Sequence, residues 1–129
     1  MTVTGTFSNP SDDDLKENVD SLRAVLPALT KLRPISFDFK RTPDLQHMNL
    51  AAGKQYGFSA QELEAIFPDL VRTEKHPSPG ELEGKEGEPP ITYKSVNYLA
   101  LIPVLVEAIK EQQAMIEQLQ NDVNRLSEK

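Results

Sequence analysis

The stretch from Ile102 to Leu126, IPVLVEAIKEQQAMIEQLQNDVNRL, decides the fold. Ile102, Ile109, Ile116 and Val123 recur every seven residues. Leu105, Leu119 and Leu126 follow three positions behind, and Gln112 is the polar member of that second series. Apolar residues at positions a and d over successive heptads form a coiled-coil seam, so the pattern predicts one long helix over residues 96–127. The other reading is an amphipathic helix packed on its own domain, and the strictness of the seven-residue repeat favours the seam. β-branched residues at a with Leu at d lean by composition toward two strands, while Gln112 at d adds polarity that can set the register. Pro103 is tolerated only in a first turn, so the regular coil is expected to begin after it.

Upstream, the chain reads as a small α+β body, mainly α. Residues 1–10, MTVTGTFSNP, alternate Val3, Gly5 and Phe7 with hydroxyl side chains and close on Asn9-Pro10, the pattern of a short strand and turn. The next segment, SDDDLKENVDSLRAVLPALTKL, carries Leu15, Val19, Leu22, Leu26 and Leu29 at helical spacing behind acidic residues. That predicts a helix from about Asp12 to Lys31, with a break or kink at Pro27. Ile35, Phe37 and Phe39 alternate with polar residues as a half-buried strand. Ser59 and Glu62 mark the start of a short helix that Pro68 stops. Leu70 and Val71 are expected to pair with Ile91, Thr92 and Tyr93. The span between, residues 72–92, is rich in Pro, Gly and Glu and reads as an exposed arm.

Composition removes whole classes of function. At 129 residues and 14.4 kDa, with five Phe, three Tyr and no Trp, the chain allows one modest domain with a small core, so part of its stability must come from association. A net charge of -6 argues against a nucleic-acid surface, which needs a basic stripe. No apolar run approaches the roughly 20 residues that span a bilayer, and the amino end lacks the layout of a signal peptide. Without cysteine there is neither a disulfide framework nor a thiolate metal site. His47 and His76 stand apart in sequence with no metal-ligand spacing, so neither a metal nor a cofactor is expected. Phosphate loops and nucleophile elbows are absent from the sequence as well.

Ser11 and Lys16 remain as candidates for chemistry. Locally they have an ordinary explanation: Ser11 begins a capping box, and Asp12 and Lys16 are an i,i+4 ion pair. Five residues turn roughly 140° around a regular helix, so the two side chains meet only if Ser11 precedes the first turn and the chain folds back over it.

Three blocks, in order, carry a resemblance that extends from Ser11 to the end of the chain: SDDDLKENVDSLRAVLPALTKLRPISFDFK (11–40), GFSAQELEAIFPDLV (57–71) and SVNYLALIPVLVEAIKEQQAMIEQL (95–119). Together they resemble the endosialidase-type intramolecular chaperone domain, a self-cleaving serine peptidase found at the end of phage tailspikes and tail fibres. The resemblance implies a homotrimer whose long helices form the coiled coil. It makes residues 1–10 the end of an upstream β-rich stalk of the same polypeptide, and residues 11–129 the chaperone and processing domain. By the family's opening motif Ser11 is the nucleophile, Lys16 its general base and Pro10–Ser11 the scissile bond. Asp14 stands where the family most often has a basic residue, a departure that bears on Lys16 because a nearby acid favours a charged amine. The resemblance also implies synthesis in a bacterial host cytoplasm as part of a phage fibre precursor, with the released domain absent from the mature fibre.

Two functions follow from these readings. In the first, the domain trimerises, assists folding of the stalk and releases itself by autoproteolysis. In the second it is a non-cleaving trimerisation and folding module that stays attached, with Ser11 acting only as a helix N-cap. A plain coiled-coil adaptor is a more distant third class, because it would not need the globular blocks between Ile35 and Val71.

Overall fold

A computed structural model describes residues 8–78, 80, 84 and 89–128. The strand expected in residues 1–10 falls mostly on residues 1–7, outside that range; Ser8, Asn9 and Pro10 are exposed and have no regular structure. The elements that follow are α1 (Leu26–Leu29), β1 (Ile35–Phe37), β2 (Gln55–Gly57), α2 (Ala60–Ile66), β3 (Val71–His76), β4 (Ile91–Val96) and α3 (Leu101–Ser127). Short 3-10 turns at Asp13–Leu15, Pro43–Met48, Pro68–Leu70 and Tyr98–Ala100 link them.

The largest departure from expectation lies between Asp12 and Lys31. Of the long helix anticipated there, only one 3-10 turn and the four residues of α1 form. Asn18 and Ala24 both adopt left-handed backbone conformations, with φ of 54° and 53°, and a right-handed helix cannot pass through either. Pro27 accordingly lies in the first turn of α1, where its missing N–H costs nothing, and does not kink a longer helix. Tertiary bonding replaces the helical bonding. The amides of Val25 and Leu26 donate to the two carboxylate oxygens of Glu111 on α3, each at 3.0 Å. A left-handed residue followed by a right-handed one turns successive N–H groups to one side, and such a concavity suits an anion.

Two antiparallel hairpins flank α2. In the first, β1 pairs with β2, Ile35 opposite Gly57 and Phe37 opposite Gln55. Phe39 falls beyond the strand, but its ring meets that of Phe37 edge-on at 5.2 Å. In the second, β3 pairs with β4 over six rungs, from Val71 opposite Val96 to His76 opposite Ile91. Val71 therefore does not face Ile91–Tyr93 as anticipated. The hairpin is longer than its apolar residues suggested, and the Asn97 amide extends the pairing to the Leu70 carbonyl at 2.8 Å. Residues 72–76 and 91–92 of the anticipated arm are thus ladder residues; 79, 81–83 and 85–88 lie outside the described range.

Helix α2 forms where its signals placed it. The Ser59 hydroxyl accepts from the Glu62 amide at 3.3 Å, and Pro68 opens the next turn. The Glu62 side chain, however, pairs with Arg33 and does not reach back to the cap. Leu63 on α2 is completely buried, and Lys94 of β4 joins Glu64 at 2.7 Å. At the junction of α2 with α3, the Tyr98 ring stacks on Phe58 and its hydroxyl accepts from the Phe58 amide at 3.0 Å. Gly57 permits this approach, because a Cβ there would overlap the Tyr98 hydroxyl.

Helix α3 begins at Leu101, later than residue 96, because β4 runs to Val96 and the Asn97 side chain caps an intervening 3-10 turn. Pro103 falls within its first turn. On one stripe of α3, Val104 and Ala108 pack with Val25, Leu26, Leu29 and Phe67, and Leu101 is buried as well. The seam is a different stripe. Ile102, Leu105, Ile109, Ile116, Leu119, Val123 and Leu126 all face solvent, Ile109 with 64% of its surface exposed, and Gln112 is exposed with them. The helix therefore docks on its own body through positions c and g, and leaves a and d free.

Candidate functional site

The amino edge of the body is built by the 3-10 turn Asp13–Leu15. Asp12 precedes it in an extended conformation and accepts from the Asp14 amide at 2.9 Å, while the amides of Leu15 and Lys16 close back on the carbonyls of Asp12 and Asp13. Asp12, not Ser11, is therefore the capping residue, and the reading of Ser11 as an N-cap is corrected. The Ser11 hydroxyl is left with a different partner: the Lys16 amine donates to its oxygen at 3.0 Å. An α-helix running through Ser11 would have separated the two side chains. Ser11 instead precedes a tight turn whose two sides converge, which brings the pair together.

A serine oxygen within 3.0 Å of a lysine nitrogen has the reach required for proton transfer. A neutral amine can take the hydroxyl proton and make the oxygen a nucleophile. Pro10 immediately precedes the serine, so the nearest carbonyl carbon in sequence belongs to the Pro10–Ser11 peptide bond. Ser11, Lys16 and every residue between them are exposed, and the exposure continues to Ala24. Asp14, the departure noted in the sequence, belongs to the same turn.

The two histidines, read as isolated, come together. Their rings lie 4.8 Å apart at a steep angle, and one nitrogen of each is 3.0 Å from the Pro77 carbonyl oxygen. They are brought together by the Pro43–Met48 turn folding over the end of β3, a proximity with no signature in sequence spacing. Among the described residues no three His, Cys, Asp or Glu side chains assemble into a possible metal site. Among them, too, no helix is long and apolar enough to cross a membrane.

Sequence reasoning missed Glu111. Its carboxyl is held below the ordinary carboxylate range, first by the Leu26 amide and then by that of Val25. Glu107, one turn earlier, is pushed upward by its hydrogen bond to Glu111. The only available signal was an acidic residue at a c position of an otherwise ordinary helix flank. Leu15, Val19 and Leu22 were recognised as apolar, but as the face of a helix that does not form.

These features define an α+β domain with a small packed body, a projecting helix whose apolar seam lies open, and a Ser–Lys pair at its amino edge. Residues 11–72, just under half of the chain, match the family model described as chaperone of endosialidase, a family classed among the peptidases. The match starts at Ser11 itself and ends on the second residue of β3. It covers the first two sequence blocks in full and stops short of the third.

Proposed function

We propose that this domain is a self-releasing intramolecular chaperone of a phage tailspike or tail fibre. It trimerises through the α3 seam, assists folding of the stalk upstream of Ser11, and then cuts the Pro10–Ser11 bond. The observation that carries this reading is the 3.0 Å approach of Lys16 Nζ to Ser11 Oγ, directly after the proposed scissile bond. In the reaction, Ser11 Oγ attacks the Pro10 carbonyl carbon while Lys16 takes the hydroxyl proton. The carbon–nitrogen bond then breaks, and Lys16 returns the proton to the departing Ser11 nitrogen. Pro10 is left esterified to the Ser11 oxygen, and water hydrolyses the ester to a Pro10 carboxylate and a free serine hydroxyl. Desolvation disfavours a charged amine, so assembly that covers Lys16 would produce the neutral base and tie cutting to correct folding. Once the chaperone has left, the stalk persists by kinetic stability.

The exposure of Ser11 and Lys16 in the single chain also fits a module that stays attached and never cuts. Mass spectrometry of the domain expressed behind its native stalk separates the two. The expected result is a fragment beginning at Ser11, with Ser11→Ala and Lys16→Ala both remaining whole. An intact parent that sediments as a trimer would reduce the function to assembly.

A further inference from the structure

The segment from Ser11 to Ala24 is exposed throughout, and it displays Leu15 at 72% and Val19 at 75% exposure, with Leu22 beside them. Leu15 closes the 3-10 turn, Val19 and Leu22 lie on backbone without regular structure, and no described residue of their own chain covers them. The surface of the whole chain points the same way. It amounts to 10756 Å², against about 6,800 Å² for a compact folded chain of this mass. The excess is roughly 4,000 Å² on one chain, where a standard interface takes about 800 Å² from each partner.

Heptad geometry says where the cover comes from. With Ile102 at a, the residues of α3 that hold α1 are Ala108 at g and Val104 and Glu111 at c, so α1 and the end of the strap at Val25 lie on the c and g flank of α3. In a parallel coil, g positions of one helix face e positions of the next. Val106 occupies an e position and is 53% exposed; Leu99, seven residues earlier in the 3-10 turn that leads into α3, is exposed too. Both lie outside the stripe packed on the body and outside the a/d seam. A parallel cyclic assembly would bring the end of each strap close to this apolar flank of the neighbouring copy.

We infer that Leu15, Val19 and Leu22 of one copy pack over Leu99 and Val106 of a second copy, so that the neighbour's α3 covers the Ser11–Lys16 pair. The inference rests on the proposed self-association and names the surface that joins it to the chemistry. An interface of this kind makes the pair buried only when the next subunit is seated, independently of the seam itself.

Because the native chain has no cysteine, disulfide trapping has no background. A chain with Val19→Cys and a differently tagged chain with Val106→Cys are co-expressed, oxidised and resolved by non-reducing electrophoresis. Leu15→Cys and Leu22→Cys, each against Leu99→Cys and Val106→Cys, scan the neighbouring registers. The expected result is a covalent species carrying both tags, absent when either cysteine is missing. Assembled material with no mixed-tag species in any pairing overturns the inference while leaving the oligomer standing. So does an intrachain disulfide as the sole product of the doubly substituted Val19→Cys, Val106→Cys chain, which would place the strap on its own helix. Sedimentation of the unsubstituted chain is run alongside; a monomer there would overturn the self-association and the strap contact together.

Discussion

The α2 region and the amino-terminal strap contain similar aliphatic residues and treat them in opposite ways. Leu63 on α2 is fully enclosed by its own chain, between hairpins whose ladders are complete. Leu15, Val19 and Leu22 in the strap stand in water, and so does the whole a/d row of α3. The difference lies in backbone closure. Around α2, caps and ladder bonds satisfy the main chain locally, so side chains can pack inward. In the strap, two left-handed residues interrupt any helix, and its end is tied instead to a carboxylate 85 residues away. One region is finished by the chain alone, and the other is left open for the proposed association to finish.

The strongest way to break that comparison is to charge the seam. Ile109→Asp combined with Ile116→Asp should abolish the oligomer in sedimentation while leaving the β3–β4 hairpin and α2 folded, because both side chains are exposed in the single chain. An isolated projecting helix is marginal in water, so helical signal should fall as well. Persistence of the oligomer would mean that the seam is not the interface.

Leu63→Ala tests the self-sufficient region. Removing a fully buried leucine should cost about 2–5 kcal/mol by urea denaturation, through lost transfer energy and the cavity left behind. An effect no larger than that of an exposed seam residue would erase the distinction between the two regions.

The smallest effect is expected where the regions meet, at Glu111. Glu111→Gln leaves one carbonyl oxygen for two amides, so hydrogen exchange at Val25 and Leu26 should quicken without global unfolding. The pH dependence has a definite sign. Glu111 titrates below its unfolded value, so its contribution is present above the ordinary carboxylate range and lost as pH falls through the depressed value. Glu107 shifts upward and contributes oppositely: protonated, it bonds to the Glu111 carboxylate, and that contribution fades as pH rises through its raised value. On acidification Glu107 should therefore gain its proton first, and the Val25 and Leu26 amides should lose protection only at a lower pH. Simultaneous loss at the upper step would contradict this order.

Sequence alone determined the elements whose bonding is local. The Ser59 cap, the stop at Pro68, the extent of α3 to Ser127 and the solvent-facing a/d row were all legible, because capping and heptad spacing depend on residues a few positions apart. Ser11 and Lys16 could be named as a pair on either side of a helix start, but periodicity predicted a long helix after Ser11 where only a tight turn forms. Tertiary structure decided the rest. The Glu111 carboxylate drew two amides out of that helix, the tight turn before it brought Lys16 to Ser11, and the fold set β3 against β4 in a register the apolar residues did not mark. Each of these depends on groups distant in sequence, whose energies no local pattern records.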